Sequence, residues 1–119
     1  MNERVTGRTV AADLLLETAR ALYRERRLRA RHFPGSLFAE PTWDMLLDLY
    51  IADGERRQIT VKSVCIAANV PTTTALRHLR WLHEQGLVER LSHPRDARST
   101  HVRLTAIAIV AMASYLDEI

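Results

Sequence analysis

Apolar positions recur at helical spacing along most of the chain. From Thr9, which has N-cap chemistry, Val10, Leu14, Leu15, Ala21 and Leu22 share one face, with Thr18 the one residue there that is not apolar. That run predicts a first helix over residues 9–32, stopped by Phe33-Pro34-Gly35. A second begins near Thr42, after Pro41, and places Trp43, Leu46, Leu47 and Tyr50 on one side. Asp44 in its first turn suits a helix N-terminus, and Asp53-Gly54 ends it. Thr60 caps a short third helix over about 61–68, and Asn69-Val70-Pro71 breaks it. A fourth runs over about 72–85 and stops at Gly86, the usual residue just past a helix. The period then changes from helical to alternating.

Val88, Arg90 and Ser92 alternate with Leu87, Glu89 and Leu91, as in a short strand. Residues 93–98 (HPRDAR) have turn chemistry, residues 100–104 (THVRL) read as the returning strand, and Thr105 opens a last helix. The fold class this implies is mainly α: a winged helix-turn-helix with a two-stranded β-hairpin wing plus N- and C-terminal helices. In that architecture the later helix of the helix-turn-helix enters the DNA major groove, and the hairpin reaches phosphates or the minor groove. The whole chain reads as one domain, with the N-terminal helix at 9–32, a winged-helix core at 42–104 and a C-terminal helix at 105–119.

At about 100° per residue, Leu76, Leu79, Leu82 and His83 fall on one side of the fourth helix, with the leucines facing the core. Thr73, Thr74, Arg77, Trp81 and Glu84 fall on the other. Thr72, Thr73, Thr74 and Arg77 have the reach and polarity for groove entry: threonine bonds phosphate or touches a thymine methyl, and arginine clamps guanine. His78 and Arg80 flank that face at phosphate distance. Trp81 is expected to pack rather than read bases, because large aromatics are usually buried. In the wing, Arg95 and Arg98 straddle Asp96 and are placed to contact DNA.

Charge supports a polyanionic partner. The 119 residues carry a net charge of +3, and 16 of the 17 basic residues are arginine, the better reader of phosphate and guanine edges. Residues 4–31 hold eight arginines against three acids, and residues 62–103 seven bases against three acids. Residues 40–55 hold five acids and no base. The five arginines at 24, 26, 27, 29 and 31 are candidates for auxiliary nucleic-acid contact, and no membrane partner is expected, since only Tyr23 supplies a bulky aromatic near them.

The stretch 71–108 resembles the MarR-type winged-helix regulators. The likeness rests on Gly86-Leu87-Val88-Glu89-Arg90 after a helix, the wing pattern of Pro94, Asp96 and Arg98, and a strand ending with Val102, Leu104 and Thr105. Arg77 sits in the first half of the recognition helix, as in the family, while Arg80-Trp81 replaces the more usual Asp-Arg pair. The resemblance implies a homodimeric repressor or activator on a pseudo-palindromic double-stranded DNA site. Its recognition helices would occupy successive major grooves and its wing arginines the flanking minor grooves.

The last helix, AIAIVAMASYL over 106–116, is apolar on nearly every face and too short for a membrane. It is expected to pair with the N-terminal helix between subunits, its alanines at 106, 108, 111 and 113 permitting close approach. The N-terminus lacks the apolar core of a signal peptide, which points to a cytoplasmic protein. Five scattered histidines offer no metal spacing, and no phosphate loop or catalytic constellation appears, so neither enzyme nor cofactor is expected. Cys65 lies among apolar neighbours, as a core cysteine does rather than a redox sensor. A small-molecule effector is left open, with nothing in the pattern to support one. The alternative function is a winged helix used for protein interaction or non-specific nucleic-acid binding.

Overall fold

Threonine side chains cap three of the helices among the described residues. The computed structural model describes residues 9–33, 37–92 and 100–119. Thr9 accepts from Ala12 N at the start of α1 (Val10–His32), Thr60 from Ser63 N at α3 (Val61–Ala67), and Thr105 from Ala108 N at α5 (Ala106–Glu118). Each hydroxyl satisfies one of the amides that a helix start leaves without an intrahelical acceptor. Helix α2 (Pro41–Gly54) instead begins with proline in its first turn and no side-chain cap. Helix α4 (Thr72–Glu84) follows the turn 68–71, in which Asn69 takes a left-handed backbone with φ of 58°. Its far end closes on Gly86 at φ of 75°, with Leu87 N–H donating to Leu82 O and Gly86 N–H to His83 O. This pair of bonds is a Schellman closure, which requires a left-handed residue at that point.

Helix α2 is the centre of the molecule. It packs against α1, α3, α4 and α5 as well as against the sheet, and so is covered on more than the one side its apolar pattern predicts. Met45, Leu47, Leu49, Tyr50, Ile51 and Ala52 are all buried. Against it α1 presents Leu16 and Ala19, with Leu15, Leu22 and Tyr23 partly covered. The sequence reading placed Val10 and Leu14 on this face, yet both are 63% exposed. Where α1 and α2 meet, a Cβ on Gly54 would lie 2.9 Å from Leu16 Cδ1, so any side chain there requires Leu16 to shift.

The sheet has one strand more than the hairpin alone. Ahead of α3, β1 (Ile59–Thr60) pairs antiparallel with β3 (His101–Leu104), which pairs on its other side with β2 (Val88–Leu91). Val61 N–H continues this edge by donating to Thr100 O. The register sets Val88 opposite Leu104 and Glu89 opposite Arg103, whose Nε donates to Glu89 Oε2 at 2.6 Å. Thr105 then locks the sheet to the helix-turn-helix. Besides capping α5, its hydroxyl donates to Gly86 O at 2.8 Å and its amide to Leu87 O. Beyond it, α5 buries Ala108, Met112 and Leu116 on one line and packs against α1 and α2.

Candidate nucleic-acid interface

Helix α4 turns Ala75, Leu79 and Leu82 inward. Its opposite ridge is Thr73, Arg77, Arg80 and Glu84, all exposed. Among the described residues, neither Arg77 nor Arg80 enters an ion pair, so both guanidinium groups keep their donors for an outside acceptor. Thr72 is exposed at the first position and Thr74 half-buried. The core lies toward Ala75 and Leu82 rather than toward Leu76 and His83. Leu76 is therefore exposed rather than in the core, and His83 is exposed with it.

Each flank of the ridge meets a different element. On one side, Thr72 and Leu76 border an open depression with Lys62 and Ile66 of α3 and Arg90 of β2. Lys62 and Arg90 were not singled out in the sequence. Lys62 follows directly on the Thr60 cap region, and Arg90 is an outward strand position, but only the packing of α3 and β2 beside α4 brings them together. On the other side, His78 and Trp81 border a concavity with Arg77 and Thr42, the second residue of α2. His78 Nδ1 lies 3.1 Å from Thr42 Oγ1 and the ring is half-buried. Trp81 is 50% exposed, against the expectation that it packs. Trp43 and Tyr115 meet edge to face instead, tying α2 to α5. The wing arginines Arg95 and Arg98 lie outside the described residues, as do Asp96 and His93.

The arginines of α1 are differently placed. Arg26 is a tenth exposed and donates to Asp44, whose side chain is 8% exposed, to Glu40 at 2.8 Å and to Phe38 O at 3.3 Å. Its pKa is raised, first by the Asp44 hydrogen bond and against the effect of burial. Arg20 bonds Glu55 and Glu17, Arg29 bonds Glu25 and lies over Phe38, and Arg27 lies over Tyr23. Glu55 is held below the usual carboxylate range by hydrogen bonds from Arg57 and Arg20. Arg24 and Arg31 are exposed and enter no ion pair among the described residues.

Among the described residues, burial raises the pKa of three groups, Tyr23, Asp48 and Cys65. Asp48 is pushed up by desolvation, which Arg57 and Arg27 partly oppose, and its Oδ2 has no hydrogen-bond partner. The Cys65 thiol is buried and also pushed up by desolvation, so it lacks the low pKa of a reactive thiolate, as the sequence implied. No group of three metal-ligating side chains occurs among the described residues, and no helix of the described residues is long and apolar enough to cross a membrane.

Residues 42–108 match the winged helix DNA-binding domain family. No curated protein matches the sequence. Solved structures with a similar fold include the S. aureus MepR–DNA complex, at 17% identity and a TM-score of 0.58 over 86% of this chain and 77% of that one. A MepR mutant from a multidrug-resistant S. aureus clinical isolate aligns at 22% identity and TM-score 0.56, over 66% of this chain. A mutant MarR from E. coli aligns at 22% identity and TM-score 0.54, over 91% of this chain and 65% of that one. The chain spans 55% of the length of the clinical-isolate MepR it matches. With a helix-turn-helix, a three-stranded sheet and a family match over more than half its residues, the chain belongs to the winged helix DNA-binding domain family.

Proposed function

We propose that the chain is a sequence-specific, MarR-like transcriptional regulator that acts by occupying duplex DNA. The carrying observation is the α4 ridge, where Arg77 and Arg80 stand exposed and uncommitted beside Thr73 on the later helix of a helix-turn-helix. Arg77 is the base reader, with Thr72, Thr73 and Thr74 at the groove entrance, and His78 and Arg80 on phosphates. Lys62 and Arg90 extend the basic surface toward the wing, where Arg95 and Arg98 take the flanking minor groove. The S. aureus MepR–DNA complex shows a similar fold on DNA, which supports this reading.

The acting unit in this reading is a homodimer. Ile107, Val110 and Tyr115 of α5 are 74%, 65% and 52% exposed, and Val10 and Leu14 of α1 add to the uncovered apolar surface. A second copy covering these helices removes that surface from water. The reading includes no catalytic step, and places the protein in the cytoplasm with the DNA it binds.

Selection from random double-stranded DNA with the purified chain tests the reading. The expected product is an inverted repeat with half-sites about one helical turn apart. Salt-sensitive binding to any duplex, with no enriched sequence, overturns it in favour of a non-specific binder or a protein-interaction module.

A further inference from the structure

Thr42 is the second residue of α2, whose N-cap position is held by Glu40 without a side-chain cap. The Thr42 hydroxyl lies 3.1 Å from Nδ1 of His78, 36 residues away on α4. A neutral imidazole carries one N–H, and a hydroxyl can either donate to or accept from the ring nitrogen it meets. With the Thr42 hydroxyl donating to Nδ1, the ring proton sits on Nε2. Nε2 is then a donor on the edge of the ring away from Thr42. The ring borders the open concavity shared with Arg77 and Trp81, one turn along α4 from Thr74 and directly beside the ridge. The reverse arrangement, with Nδ1–H donating to Thr42, leaves Nε2 a bare acceptor, which repels a phosphate.

We propose that Thr42 is a positioning residue for DNA binding. By donating to His78 Nδ1 it fixes the Nε2–H tautomer, and Nε2 donates to a phosphate oxygen of the duplex beside the groove entered by Arg77. The proposal rests on the DNA-binding reading above. Thr42 needs no contact with DNA itself. The arrangement supplies a neutral donor at a fixed angle, where a lysine would supply a mobile charge.

The test has two parts. Nitrogen-15 spectra of the ring at pH 8 are expected to show Nδ1 unprotonated and Nε2 protonated. Binding of the duplex enriched by the wild-type chain is expected to weaken about three- to tenfold in Thr42→Val, the range of one lost hydrogen bond. Thr42→Ser restores it, and Thr42→Val has no further effect in a His78→Ala background. His78→Ala alone weakens binding without changing base preference, a readout independent of how α2 tolerates valine. A ring protonated on Nδ1, or an equal loss from Thr42→Val with and without His78, overturns the positioning role while leaving DNA binding intact. A wild-type chain that binds no duplex overturns the DNA reading and this proposal with it.

Discussion

Helices α1 and α4 both carry arginine, but three of the α1 arginines have acidic partners within the chain, and those of α4 have none among the described residues. On α1, Arg26 is buried against Asp44 and Glu40, Arg20 is bound to Glu55, and Arg29 to Glu25 and Phe38. On α4, Arg77 and Arg80 have no ionic partner among the described residues and face outward. The acidic stretch 40–55 makes much of the difference, because α2 lies against α1 and brings Asp44 and the flanking Glu40 and Glu55 to Arg26 and Arg20. A dense run of positive charge is therefore no guide to a polyanion site until its internal partners are known. The two isolated arginines of α4 are better candidates than the dense run on α1.

Removing Arg26 should break this comparison most severely. With Asp44 left buried and unpaired, Arg26→Ala is expected to lose about 3–5 kcal/mol of folding stability, read by denaturant unfolding. Replacing both partners, Arg26→Met with Asp44→Leu, should recover most of that loss, since no buried charge remains. On α4 the effect moves from stability to binding. Arg80→Ala should leave unfolding unchanged, weaken DNA binding evenly across sequences and lower the slope of log affinity against log salt by about 1.

Asp48 is the acid of the 40–55 stretch with a buried oxygen and no hydrogen-bond partner for it. Its folded pKa lies above the ordinary 3.8 because burial disfavours the charge. The folded chain thus holds this proton more tightly than the unfolded chain, and the site destabilises increasingly as pH rises from the ordinary value through the folded one. Asp48→Asn should raise the melting temperature at neutral pH, and the gain should disappear in acid where Asp48 is protonated. The smallest expected effect is that of Arg29→Ala. Its exposed i, i+4 pair with Glu25 contributes under about 1 kcal/mol to unfolding.

Local chemistry was legible in the sequence where one residue type does one job. Thr9, Thr60 and Thr105 cap as their spacing implies, and Gly86 takes the left-handed position that ends α4. Long-range choices were less visible. β1 has two residues, too few to show any period, and exists through its pairing with β3. In α4 the small Ala75 faces inward and Leu76 outward, an exchange that ranking by hydrophobicity hides. Arg26 lies seven residues after buried Ala19, about 20° from it around the helix, so its burial follows from a face that Val10 and Leu14 had obscured. The Thr42–His78 bond joins positions 36 apart and becomes visible when α2 and α4 pack.

The most direct measurement compares affinities for the selected duplex with each base pair changed in turn, using the wild-type chain, Arg77→Ala and Arg29→Ala. Arg77→Ala is expected to lose about 1–3 kcal/mol of discrimination at one base pair in each half-site, while Arg29→Ala keeps the wild-type profile. An unchanged profile for Arg77→Ala, or an equal loss from Arg29→Ala, would contradict the division between the ion-paired arginines of α1 and the base-reading Arg77 of α4.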